Sequence, residues 1–178
     1  MTFLGYTVSD EGTRPLEENV AATNHFKRSA LDKNLRPFLG VLNFYRQFIP
    51  QAASIQVPLH AALTGPKIKG SQLVDWMPTM VYAFKDCKAS LSRATLLAHA
   101  VPSAMLALFT DASDTAIGAA LQQRVCDTWH PLAFYSHKLN PAQQKCSPYN
   151  RELLVVYGAI KYFCHMVEGR SFVIFTDH

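Results

Sequence analysis

This chain lacks most of the devices that announce a function. Its four cysteines, Cys87, Cys126, Cys146 and Cys164, include no close pair, which excludes a disulfide framework and a redox Cys-x-x-Cys motif and fits a reduced, intracellular setting. The opening MTFLGYTVSD has no basic segment leading into a long apolar one, and no later run approaches membrane-spanning length. Neither secretion nor insertion into a membrane is expected. There is no Gly-rich phosphate loop, no internal repeat and no low-complexity tract. Charge is sparse: 17% of residues are charged, and a net +4 suits a polyanionic partner without establishing one. Apolar residues are plentiful, 49% of 178, enough for the core of one ordinary domain or two small ones.

Punctuation then divides the chain. FLGYTVSDEGTRP alternates apolar and polar residues and turns at Asp10-Glu11-Gly12, which predicts a short hairpin. From Asp32 to Phe48 the period becomes helical, with Leu35, Phe38, Leu39, Leu42, Tyr45 and Ile49 at three-to-four spacing, Asp32 or Asn34 as N-cap and Pro50 as stop. A second helix is predicted in SIQVPLHAALTG, ending at Gly65. GPKIKGSQ reads as a loop, and a third helical pattern runs through MVYAFKDCKASL to Leu91. From Ala104 onward the runs AMLALFT, AIGAALQQR and WHPLAFYSHKL predict an antiparallel meander. SPYNRELLVVYGAIKYFCHMVEG reads as an amphipathic helix capped by Ser147, with Pro148 in its first turn and Gly169 past its end. Its predicted inner face is Leu153, Tyr157, Ile160, Cys164 and Val167. SFVIFTD closes the chain as a strand.

Two of these strands end alike, LFTDASD at Asp111 and VIFTD at Asp177. A strand, a helix and a strand lying beside the first form a parallel crossover, whose strands finish on the same edge. That pairing would set Asp111 and Asp177 side by side at the carboxyl edge, where open sheets bind ligands. Glu152, in the first turn of the crossover helix, is placed to face the same sheet. Three gathered carboxylates repel one another unless a hard divalent cation neutralises them, which points to Mg2+ or Mn2+ and to the phosphodiester hydrolysis that an acid-only site performs.

Each acid taken singly has an ordinary explanation: Asp111 as a turn residue, Glu152 as an acid favoured by the helix dipole, Asp177 as a strand terminator. Their joint placement behind duplicated Thr-Asp endings favours a site. Cys126, His130, His137 and Cys146 do not have the spacing of a zinc finger or ribbon. Ser136-His137 lacks a nucleophile elbow, and neighbours on a strand point to opposite faces, so a hydrolase dyad is rejected. Arg28, Lys33, Arg36 and Arg46 lie among Phe38, Phe44 and Tyr45 on or near the first long helix. They suit phosphate contacts with little sequence readout, or simply a solvated face.

The runs TDASDTAIGAALQQ, PLAFYSHKL, YNRELL and FTDH resemble, in order and spacing, successive motifs of the ribonuclease H domain of gypsy-like long-terminal-repeat retrotransposon reverse transcriptases. FLGYTVSDEG resembles the primer-grip hairpin ending the polymerase palm of that family, and LRPFLGVLNFYRQFIPQAASIQVPLHAAL its thumb helices. The resemblance covers essentially the whole chain. It implies an α/β fold, α+β overall, in which residues 1–16 are the palm-end hairpin and 17–95 a helical thumb or connection region. Residues 96–178 would be a C-terminally truncated ribonuclease H-like mixed sheet of strand order 3-2-1-4 with a crossover helix.

Carried over residue by residue, the same resemblance implies Asp111, Glu152 and Asp177 as catalytic metal ligands for Mg2+ or Mn2+. It implies Phe3, Leu4, Gly5, Tyr6, Arg36 and Arg46 as contacts to an RNA–DNA hybrid or template–primer duplex. The partners implied are that duplex and the remainder of a Pol polyprotein, in the cytoplasm or a retroelement particle, with no membrane. A fourth metal-site acid, a fifth strand and later helices of the family pattern would lie after His178, and most of the polymerase before Met1. The 178 residues alone are therefore expected to cut hybrids very weakly or not at all, and not to polymerise DNA. Asn150 stands where relatives often carry Asp. The alternative is a catalytically inactive, retroelement-derived nucleic-acid-binding or scaffold module.

Overall fold

The computed structural model describes residues 1–28, 32–63 and 74–176, with the backbone alone at 32 and 33. The GPKIKGSQ loop, the Gly65 stop, the side chains of Asp32 and Lys33, and Asp177 and His178 lie outside the described residues. The chain opens on a three-stranded antiparallel meander, β1 Thr2–Phe3, β2 Tyr6–Val8 and β3 Thr13–Pro15. The expected hairpin is there, β2 with β3, and a first strand precedes it. Leu4 and Gly5 make the extra turn with φ of 45° and 83°. Positive φ at both central residues gives the twist that suits a two-residue hairpin, and Gly5 takes it without a Cβ penalty.

Helices α1 Glu17–Asn24, α2 Asp32–Phe44, α3 Ala52–Ala61 and α4 Pro78–Ser92 follow, with a 3₁₀ turn at Arg46–Phe48 between α2 and α3. The helical periodicity locates the core: Leu35, Phe38, Leu39, Leu42, Tyr45 and Ile49 are all buried. They pack with Leu59, Phe84, Cys87 and Leu91 into a first core. Tyr6 joins the meander to it, stacking on Phe44 with ring centroids 5.2 Å apart and planes within 7°. Helix α1 carries no apolar stripe, so hydrophobic period gave no sign of it.

A second core belongs to a four-stranded sheet of β4 Met105–Ala112, β5 Ala116–Val125, β6 Thr128–Lys138 and β7 Phe172–Phe175. Its order is β6-β5-β4-β7, which is the expected 3-2-1-4, and β7 runs parallel to β4 with Phe109 opposite Phe175. The crossover consists of the short α5 Pro141–Gln144, the long α6 Pro148–Tyr162 and the short α7 Cys164–Val167. Ser147 caps α6, its hydroxyl accepting from the Asn150 N–H, and Gly169 ends the crossover at φ 70°.

The inner face of α6 differs from the expectation. Leu153, Tyr157 and Cys164 are exposed, whereas Glu152, Val155, Ala159 and Phe163 are buried. LLVVYGAI is apolar on nearly every side, so periodicity admits more than one inner face. The approach is close: a Cβ on Gly158 would stand 2.6 Å from the Tyr135 hydroxyl of β6, so a larger residue there would force α6 or Tyr135 to shift. The helical register also breaks at Phe163, which separates Cys164 and Val167 from α6 proper. No helix among the described residues is long and apolar enough to cross a membrane.

Candidate functional site

Strand β4 alternates between two environments. Leu106 and Leu108 point into the core shared with Val155, Ala159 and Phe163 of α6. By the period of two, Phe109 and Asp111 point to the other face. There Asp111 lies opposite Gly118 and Phe109 opposite Ala120. These four residues, with Pro50, Gln51 and Phe134, line a cleft of about 190 Å³. Asp111 is exposed at the carboxyl end of its strand, and its Oδ2 accepts a hydrogen bond of 2.7 Å from the Gln51 side-chain amide.

Glu152 approaches the same edge from the α6 side. Arg151, the preceding residue, is buried and its guanidinium is ion-paired with Asp114 in the turn after β4, which ties the first turn of α6 to the carboxyl end of β4. Glu152 is 7% exposed and faces inward. Of the two carboxylates near this edge, Asp111 is exposed and Glu152 is buried. Strand β7 finishes at this edge too, and the Thr110 hydroxyl on β4 donates to the Phe175 carbonyl at 3.3 Å. Asp177, the third acid, lies outside the described residues, and among those described no three His, Cys, Asp or Glu side chains gather as a metal site.

The residues expected to meet nucleic acid divide in two. Phe3 and Leu4 are exposed at the tip of the first turn, 55% and 72%, and Arg36 is exposed on α2. Gly5 and Tyr6 face inward instead: the Gly5 carbonyl accepts from the Tyr45 hydroxyl at 2.8 Å, and Tyr6 packs among Phe44, Tyr45 and Phe48. Arg46 is half-buried. Its guanidinium donates to the Ser136 carbonyl at 2.6 Å and lies over the Tyr162 ring at 5.8 Å. Ser136 is buried, and its hydroxyl accepts from the Ala53 N–H at 3.0 Å. Arg46 and Ser136 are thus a clamp between the helical unit and the sheet, which redirects the expectation that Arg46 meets phosphate and accounts for the buried serine.

Sequence reasoning did not pick out Gln51, Asp114 or Arg151. Asp114 and Arg151 stood inside the quoted motifs TDASD and YNRELL, and opposite charges there were a usable signal. Nothing in the sequence pairs Gln51 with Asp111.

Comparison with known proteins fits this architecture. The Tf2-3 and Tf2-4 transposon polyproteins of Schizosaccharomyces pombe are each 35% identical over 179 residues, covering 99% of this chain, which spans 13% of their length. The foamy viral protease-reverse transcriptase in complex with RNA/DNA hybrid superposes with a TM-score of 0.83 at 19% identity, over 100% of this chain and 24% of that one. In complex with dsDNA the corresponding values are 0.84, 19%, 100% and 36%. At this identity the likeness is one of fold. The RNase H-like domain found in reverse transcriptase matches residues 76–174, more than half of the sequence, and the chain belongs to that family.

Proposed function

We propose that this chain carries part of the metal-dependent ribonuclease H site of a retrotransposon reverse transcriptase, which hydrolyses the RNA strand of an RNA–DNA hybrid. The observation that carries the reading is the shared carboxyl edge of β4 and β7, where Asp111 stands exposed and Arg151–Asp114 brings the first turn of α6, with Glu152, to the same place. Two carboxylates of this kind are hard oxygen donors and fit Mg2+ or Mn2+ better than a softer metal. Asp111, Glu152 and Asp177 would hold the ion, Asp111 from the solvent side and Glu152 from a fixed, buried position. When bound, such an ion activates water and stabilises the leaving oxygen of a phosphodiester.

The exposed Phe3 and Leu4 at the hairpin tip and Arg36 on α2 would meet the duplex backbone, with the helical unit in the role of a thumb and the division at residues 16 and 95 as its domain plan. The foamy viral complexes with dsDNA and RNA/DNA hybrid support this choice of partner through a shared fold.

A second reading, a non-catalytic nucleic-acid-binding module, draws on the Gln51 amide already engaging Asp111. One assay separates the two. In Mg2+ the 178-residue chain should cut a labelled hybrid barely or not at all. A longer chain that adds the segment following this region in the relatives should cut strongly, and Asp111→Asn in that longer chain should abolish cleavage. Inert longer chain, or full activity in Asp111→Asn, overturns the catalytic reading.

A further inference from the structure

We propose that Gln51 is a positioning residue for Asp111: its carboxamide holds one carboxylate oxygen so that the other is presented to a divalent cation. The inference rests on Asp111 being a metal ligand. Gln51 is a non-glycine residue in the left-handed region, φ 51° and ψ 30°, at the N-cap position of α3, yet its side chain makes no capping hydrogen bond. It reaches across to the sheet instead and donates to Asp111 Oδ2 at 2.7 Å. Gly118 lies beneath this reach, and a Cβ there would be 3.7 Å from the Gln51 Cγ, an ordinary van der Waals contact. The base of the reach is rigid, since the Ala53 N–H is bonded to the buried Ser136 hydroxyl two residues on.

An exposed carboxylate at a strand end turns freely in water. Fixing one oxygen with an amide donor selects the orientation in which the other faces outward, the role that outer-shell donors play for ligating carboxylates. The contact also makes the site depend on how the helical unit is seated on the sheet, which links the proposed thumb to the proposed metal edge through one side chain.

The test is Mn2+ affinity of the 178-residue chain, read by electron paramagnetic resonance of the free ion, with melting temperature measured on the same samples. Gln51→Gly removes the amide and relieves the left-handed backbone. The expected result is an affinity lower by about tenfold with no loss of melting temperature. Gln51→Asn tolerates the same backbone but is one methylene too short, and should show the same loss. In the unaltered chain the Gln51 carboxamide NMR signals should shift with Mg2+ at the midpoint of binding, a response that a structural role alone would not produce. Unchanged or higher Mn2+ affinity in Gln51→Gly, while Asp111→Asn lowers it, overturns the positioning role and leaves the metal reading standing. Unchanged affinity in Asp111→Asn overturns both.

Discussion

At the scale of single residues, burial sets the chemistry of the thiols. Cys87 on α4 is buried, and desolvation, with the neighbouring Asp86 charge, pushes its thiol from the ordinary 9.0 up to about 12. The folded state keeps this proton where the unfolded chain releases it. The neutral thiol therefore contributes its full stability below about pH 9, and that contribution declines as pH rises toward the folded value. Urea unfolding should give a stability that falls between pH 9 and pH 11 more steeply than in Cys87→Ala, where this slope is absent. At pH 8 a thiol reagent should label the exposed Cys126 and Cys164 and leave Cys87 untouched until the chain unfolds.

At the scale of elements, the seat of α6 on the sheet depends on one small residue. Ala at 158 gains up to about 1 kcal/mol of helix propensity over Gly. The added Cβ would stand 2.6 Å from the Tyr135 hydroxyl and 3.2 Å from the ring carbon that bears it. Tyr135 is held against Tyr162 with centroids 5.2 Å apart, so it cannot swing away without losing that contact. Overpacking of this sort costs roughly 1–3 kcal/mol and outweighs the propensity gain. Gly158→Ala is expected to destabilise by about 1 kcal/mol on balance. Tyr135→Phe should recover most of the loss, because it removes the nearest atom. A double-mutant cycle by urea unfolding checks this, and purely additive effects would mean that the hydroxyl is not what holds Gly158.

For the whole molecule, the two cores meet along a packed seam, where Phe134 of β6 lies against the first core and polar links tie the halves: Arg46 and Ala53 on Ser136, Arg46 over Tyr162, and Gln51 on Asp111. Arg46→Ala removes the first of these and leaves the Ser136 carbonyl without that donor. Calorimetry should then show a lower melting temperature, while affinity for a random hybrid duplex stays nearly unchanged. Arg36→Ala, by contrast, should weaken duplex binding at low salt. The slope of log affinity against log salt should become shallower by about one, as for loss of one phosphate contact. Fluorescence anisotropy at two salt concentrations reads both. Equal losses of affinity in the two variants would put Arg46 back among the phosphate contacts.

What local chemistry can specify was legible in the residues alone. Turn residues, caps and periods of 2 and 3.6 located the meander, the crossover helix and most of the first core. The paired apolar runs closed by Thr-Asp pointed to parallel neighbours, since a right-handed crossover leaves few alternatives, and the full strand order came with the family resemblance. Helix α1 escaped, having no apolar stripe, and the inner face of α6 was misread because a helix apolar all round carries no directional signal. That face was set by long-range packing, which buries Val155, Ala159 and Phe163 against the sheet. The tertiary structure alone buried Glu152, bonded Arg46 to the Ser136 carbonyl and brought Gln51 across to Asp111. The physical reason is common to all of them: each depends on contacts between residues far apart in the chain, and neither propensity nor spacing encodes which distant surface a side chain will meet.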